Sequence, residues 1–330
     1  MAILANQKVL THNYWKTASQ LEVGDYVFDS SGKLVKVTLV QEYRSDNCYT
    51  VYLNDHLTVS GDLHLTLPLE DKKYRVQECE HKGIKKFRQK LKYLKVEELL
   101  TKTLKLKHHI YAYSIKTAWP LKLPEQTLPV PPFIFGFWFF NRRSTKRMAP
   151  PRGYAKIVHE KFKDHGYKVT ETRTINTGEK EFFVFPTIES HLAPDIPYTI
   201  PNNYLMGSEE QRLELLRGII HAKYRQYSKV KNSFRFTSAN YQIVRRVQFL
   251  AESLGLKTRI SENPARNHFL LTFKCKHKLV EEQILKPVKQ EIDRRFIRCI
   301  EPIGSQLCVH IKTDGKDGSF LVGEGFIACH

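Results

Sequence analysis

Apolar and polar residues alternate early in the chain. "YVFDSSGKLVKVTLVQEY" (26–43) reads as a strand, a turn at Ser30 to Gly32 and a second strand, and "CYTVYLNDHLTVSGDLHLTLPL" (48–69) as two more. Short strands with tight turns predict a compact all-β unit. After residue 81 the pattern turns helical and basic, and "WPLKLPEQTLPVPP" (119–132) then places five prolines in fourteen residues, which marks a boundary. From 133 the period is that of helices with strands between them. "FIFGFWFFN" (133–141) and "RLELLRGIIHAKYR" (212–225) read as apolar helices, and "SANYQIVRRVQFLAESLGLKTRISE" (238–262) as a helix ending at Gly255 and running into a strand. Another strand, "FLLTFKC" (269–275), follows. Past 293 the chain returns to β in "RFIRCIEPIG", "QLCVHIKT" and "SFLVGEGFIACH". These last strands need a sheet to join, and only the first 120 or so residues offer one. The two ends therefore predict one β unit, 1–118 with 293–330, of which 81–118 is a basic extension or linker. Residues 119–292 form an α+β insertion.

Charge sharpens this division. Of a net +19, the middle section 119–292 carries +13, and the ten basic and two acidic residues of 81–107 form a second concentration. Lys and Arg that neutralise phosphates displace counterions, so a polyanion such as DNA is the expected partner. A solvated helix face explains 81–107 equally well. Six cysteines lie scattered without a CxxC pair or zinc spacing, which predicts buried thiols. No apolar run of eighteen suggests a membrane span, and the first ten residues do not read as a secretory signal. The expected location is the cytoplasm or nucleus.

Several stretches, in order, resemble one family. "ILANQKVLT" with "LEVGDYVFDSSGKLVKV", then "LTVSGDLHLTL" around His64, and finally "CVHIKTDGKDGSFLVGEGFIACH" are similar to the blocks of an intein, a self-splicing element of the horseshoe-like Hint fold. In the middle, "FIFGFWFFN" and "LRGIIHAKY" resemble the two motif helices of a LAGLIDADG homing endonuclease, the kind of insertion many inteins carry. The resemblance implies an all-β splicing domain built from both chain ends, with an inserted LAGLIDADG-like domain. It also implies flanking extein segments as partners, a monomer, no membrane and no cofactor for splicing.

It further implies roles for single residues. Splicing begins when a Cys or Ser side chain attacks the carbonyl before it, and Ala2 stands at that position with no attacking atom. His64 matches the histidine that protonates the leaving nitrogen, and Gly61 stands where the family usually has Thr, leaving a backbone N–H to support an oxyanion. His330 matches the histidine that promotes cyclisation of a following Asn, and His310 falls near a usual Asp, where a proton or hydrogen bond from it assists. Ala after Met, and an end at His330, lead to the expectation of a splicing-blocked form.

In the insertion, the two metal-binding acids fall by position at Asn141 and Lys223, and His221 replaces the first Asp of the second motif. An amide is a poor ligand for Mg²⁺ and an ammonium repels it, so the Mg²⁺ site and cleavage are expected to be lost. "NRRSTKRMAPPRGYAKIVHEKF" (141–162) leaves little room for a DNA-reading hairpin. "HAKYRQYSKVKNSFRF" mixes aromatic residues with Arg225, Lys229, Lys231 and Arg235, which suits weak phosphate contact with double-stranded DNA. Two rival readings are a DNA-binding protein or homing endonuclease on an intein scaffold, and a hedgehog-like autoprocessing domain. The second is disfavoured by the insertion.

Overall fold

Period-two burial along β-branched and aromatic residues builds most of the strands, and tight turns separate them. In chain order the elements begin with β1 (Ala2–Leu4), β2 (Lys8–Thr11), β3 (Tyr14–Thr17), β4 (Tyr26–Phe28), β5 (Leu34–Leu53), β6 (Thr58–Asp62), β7 (Thr66–Asp71), β8 (Val76–Glu78), β9 (Lys86–Arg88), β10 (Leu91–Lys95), α1 (Val96–Leu100) and β11 (Tyr113–Lys116). Next come α2 (Pro132–Asn141), β12 (Arg142–Ser144), β13 (Arg147–Met148), α3 (Ala155–Asp164), β14 (Lys168–Thr174), β15 (Lys180–Phe185), α4 (Asn202–Leu205), α5 (Glu209–Ala222), β16 (Tyr227–Ser228), β17 (Ser233–Ser238), α6 (Tyr241–Ser253), β18 (Thr258–Asn263) and β19 (His268–Phe273). The chain closes with β20 (Arg294–Thr313), β21 (Phe320–Val322) and β22 (Ile327–Cys329). The structure, a computed structural model, describes residues 2–71, 76–78, 86–88, 91–106, 110–144, 147–150, 155–174, 180–185, 188, 199–222, 227–228, 233–264, 267–275, 277–280 and 293–330. It divides into two units, Met1–Lys122 with Gln290–His330, and Leu123–Lys289.

The main sheet of the first unit has twelve strands in the order β10-β7-β11-β20-β1-β6-β5-β4-β2-β21-β22, with β3 on β2, and β8 and β9 pair separately. Its spine is the pairing of β5 with β20, each twenty residues long. The sequence reads each of these as two strands. They run on because each supplies the other's hydrogen bonds past the irregular stretch, where register shifts gather around Gly304 at a φ of 72° that an L side chain resists. Val9, Val51, Val59, Leu67, Ile115, Ile297 and Phe320 share its core. The helical expectation after 81 is corrected for the described residues 91–95. They form β10 against β7, and among the described residues of 81–118 only α1 is helical, since alternation along "LKYLK" sends Leu94 inward and Tyr93 and Lys95 outward.

The segment that leaves this sheet and the one that returns are held at one carboxylate. Glu70 on β7, itself buried, takes an ion pair from Lys116 at the end of β11 (2.8 Å) and from Arg294 at the start of β20 (2.6 Å). Burial alone would raise its pKa, yet these two cations hold it below the ordinary glutamate value.

The second unit repeats one plan twice. Helix, short hairpin, helix and hairpin give sheets β12-β13-β15-β14 and β16-β17-β19-β18, each antiparallel. The first half thus has a four-stranded sheet, although the stretch between α2 and α3 holds only the short strands β12 and β13. The hairpin before α3 shrinks to β12 and β13, and the length is supplied after α3 by β14 and β15. Helices α2 and α5 approach backbone to backbone: a Cβ at Gly218 would collide with the Phe133 carbonyl oxygen, and one at Gly136 would lie 2.7 Å from that of Leu215. Apolar side chains fill what remains, with Tyr204 stacked on Phe135 at 4.2 Å.

Candidate functional site

Both ends of the chain reach the same short segment, residues 61–66. At the amino end β1 lies between β20 and β6, with Ala2 opposite His310 and Ile3 opposite Gly61. One step along that antiparallel register brings Asp62 alongside Ala2, and Asp62 is itself paired with Cys48 on β5. His310, Ala2, Asp62 and Cys48 therefore form one row across four strands, and β5 closes the ring by pairing back with β20. At the carboxy end, the His330 amide donates to the Thr66 carbonyl (2.9 Å).

The side chains of this row form a second, small core. Ala2, Leu4, Cys48 and Cys308 cluster apart from the main core, with Tyr43 and Ile303 packed against them. The two thiols lie 3.5 Å apart at sulfur. Into this apolar setting comes Asp62, only 3% exposed. Tyr43 donates to its Oδ2 at 2.5 Å, and the His64 amide donates to its Oδ1 at 2.9 Å. Burial, with the Asp62 charge, raises the Tyr43 phenol, and burial, the Cys48 thiol and Asp62 push Cys308 up to about 12. His310 moves the other way. Burial lowers its pKa, the positive amino terminus and then Lys312 add to the fall, and Asp62 opposes it. At neutral pH this imidazole is thus held neutral and able to accept a proton.

Sequence reading singled out Ala2, Gly61, His64, His310 and His330, and the sheet brings their backbones together. Gly61 has a steric reason: a Cβ there would collide with the Ala2 carbonyl oxygen and press on Leu65 at 3.1 Å. His64 sits exposed in the turn between β6 and β7, and no described residue hydrogen-bonds its ring. His330 is half-buried, its imidazole against the Tyr93 ring at 4.6 Å and beside Gly318. Sequence reasoning missed Asp62, Tyr43, Cys48, Cys308 and Tyr93. Of these only Asp62 left a trace, as an acid two residues before His64.

In the second unit, Asn141 is buried at the end of α2, with its Nδ2 lacking a hydrogen-bond partner among the described residues. His221 lies near the end of α5 with Nε2 3.0 Å from the Leu279 carbonyl, so that nitrogen carries the proton and is spent on the backbone. A neutral amide and an imidazole so engaged do not fit Mg²⁺, which takes carboxylate and water oxygens. Among the described residues no group of three or more His, Cys, Asp or Glu is placed to hold a metal. Arg235 is exposed on β17. Lys223, Arg225, Lys229 and Lys231 lie outside the described residues. Among the described residues no helix is long and apolar enough to cross a membrane.

No family model matches the chain. A replicative DNA helicase DnaB from Mycobacterium intracellulare is 22% identical over 354 residues, covering all of this chain and 58% of the helicase, so the chain spans under two thirds of that relative. Among solved structures, the MchDnaB-1 intein is 22% identical over 20% of this chain and 52% of its own, with a TM-score of 0.20. A variant of the Ssp DnaB mini-intein is 10% identical over 100% and 97%, with a TM-score of 0.31. I-DmoI in complex with its target DNA is 9% identical over 44% and 87%, also at 0.31. These overlaps carry none of the structural argument, which stands on the sheet and its side chains. These solved structures are inteins and I-DmoI, and the sequence resembles the same kinds of protein: the chain resembles an intein that carries a LAGLIDADG-like insertion.

Proposed function

We propose that the first unit is a protein-splicing element of the Hint type, and that the second derives from a homing endonuclease and no longer cleaves. The observation that carries this reading is the convergence of both chain ends on residues 61–66, because splicing must bring two distant peptide bonds to one site. At position 2, a Cys thiol would attack the carbonyl carbon before it. The S–C bond forms, the C–N bond breaks, and the thiol proton ends on the released amine. His310, neutral and beside position 2, takes that proton, while His64 delivers one to the amine and the two histidines then exchange through solvent. Ala2 has a methyl group there and blocks the step. At the other end, His330 promotes cyclisation of an Asn placed after it. No metal or cofactor takes part.

The experiment is a gain of function. Ala2→Cys, with a leader peptide before residue 2 and Asn-Cys plus a short peptide after His330, is expected to yield the ligated leader and trailer. Intact precursor under reducing conditions, with the fold preserved, overturns the reading. Since the curated relative is a replicative DNA helicase, segments of such a helicase are the first flanks to use.

A second reading, DNA binding by the insertion, is favoured by the +13 carried between 119 and 292. Binding that weakens steeply between 50 and 200 mM salt, roughly a thousandfold or more, is the expected result for phosphate contacts. Absence of binding at low salt removes it.

A further inference from the structure

We propose that Asp62, fixed by the Tyr43 hydroxyl, is a positioning residue that sets both histidines around position 2: His64 through its backbone amide and His310 through charge across β1. The inference rests on the splicing reading for what the histidines do, and on geometry for what Asp62 does. A carboxylate among thiols and apolar side chains is costly unless its oxygens are engaged. Here each oxygen is tied to a different element, Oδ2 to Tyr43 of β5 and Oδ1 to the turn that carries His64. The row places the same carboxylate on the far side of residue 2 from His310, so a nucleophile at position 2 would stand between a base and an anion.

Ala2 stands opposite His310 on β1 and Gln41 on β5, the positive amino terminus acts on it from the start of β1 and Lys312 lies two residues along β20, and Tyr43, Cys48 and Cys308 lie around Asp62. The Asp62 charge favours the imidazolium that forms once the thiol proton has been taken. Removing its charge leaves that imidazolium facing the amino terminus and Lys312 in a part-buried site. As a step, the thiol proton passes to His310, the S–C bond forms and the C–N bond breaks as above. Asp62 neither gains nor loses a proton.

The test has two arms. In the full chain, the His310 ring signal is titrated by NMR in the parent and in Asp62→Asn and Tyr43→Phe. The expected result is a lower midpoint in Asp62→Asn and a smaller fall in Tyr43→Phe, which keeps the charge but frees the carboxylate. In the Ala2→Cys chain with a leader, hydroxylamine-driven leader release is expected to slow roughly tenfold or more in Asp62→Asn and to recover in part in Asp62→Glu. An unchanged His310 midpoint in Asp62→Asn, with melting alone lowered, overturns the proposal and leaves Asp62 a structural turn residue. If Ala2→Cys with Asp62 intact releases no leader, the splicing reading falls, and the titration still decides the role of Asp62.

Discussion

The carbonyl oxygen of Ala2 rests against the Cα of Gly61, and no Cβ fits between them. Both atoms belong to backbone, so neither can turn aside. Gly61→Ala is therefore expected to push β1 off β6 and to destabilise the first unit by about 1–3 kcal/mol, the usual cost of overpacking. Urea unfolding followed by Trp15 emission measures it. Parent-like stability would show that β1 shifts freely, and the row across position 2 would lose its rigidity argument.

Glu70 offers a test of how the unit closes around its insertion. Glu70→Gln removes the charge shared by Lys116 and Arg294, which are 41% and 30% exposed and so partly screened, and the expected loss is about 1–2 kcal/mol. The folded pKa of Glu70 is depressed, so its stabilisation is present above the unfolded glutamate value and is lost as pH falls through the folded one. Melting of the parent should drop more steeply with acid than that of Glu70→Gln, and parallel curves would exclude the clamp.

Much of this arrangement was legible in the sequence, for a local reason. Alternation revealed β4, β6 and β7, and the apolar runs around Gly136 and Gly218 revealed α2 and α5, because each is written in neighbouring residues. What was hidden depends on distant partners. Tyr43 and Asp62 are nineteen residues apart and Cys48 and Cys308 are 260 apart, so no window along the chain joins them. The length of β5 and β20 was hidden likewise, since each is extended by the other. Tyr93 was read as part of a basic helical stretch, although its contact with His330 needs β10 to be a strand on β7.

The paired helices of the second unit predict a separable transition. Gly218→Ala drives a methyl group into the Phe133 carbonyl of α2, where only backbone could yield, and should cost about 2–3 kcal/mol. The loss should appear in hydrogen exchange of α2 and α5 while β5 and β20 keep their protection. Uniform loss across both units would mean that they unfold as one.

His310 predicts a pH dependence of opposite origin to that of Glu70. Its folded pKa is lowered, so the unfolded chain takes up the proton first as pH falls below 6.5, and stability declines until the folded value is passed. Above 6.5 the contribution is complete. His310→Gln should flatten that part of the melting curve and leave the glutamate region unchanged. An identical slope in parent and variant would show that the imidazole is not held neutral by the fold.

Tyr93 and His330 give the last test, at the other end of the reaction. The His330 main chain is held by its amide on Thr66, and its imidazole packs on the Tyr93 ring beside Gly318. Tyr93 is 45% exposed, so removing its ring should cost the fold little, under about 1 kcal/mol. It should instead free the imidazole to rotate. In a chain extended by Asn and a short peptide, Tyr93→Ala is expected to slow release of that peptide roughly three- to tenfold, because a misplaced proton donor loses part of its advantage. Leader release from Ala2→Cys should be unaffected, since Tyr93 touches His330 and not the row at position 2. Tyr93→Phe keeps the ring and should behave as the parent, which separates packing from any role of the hydroxyl. If Tyr93→Ala slows both ends equally, the two ends share one rigid site and Tyr93 supports its fold as a whole. If it slows neither, Thr66 and Gly318 alone suffice to aim the imidazole.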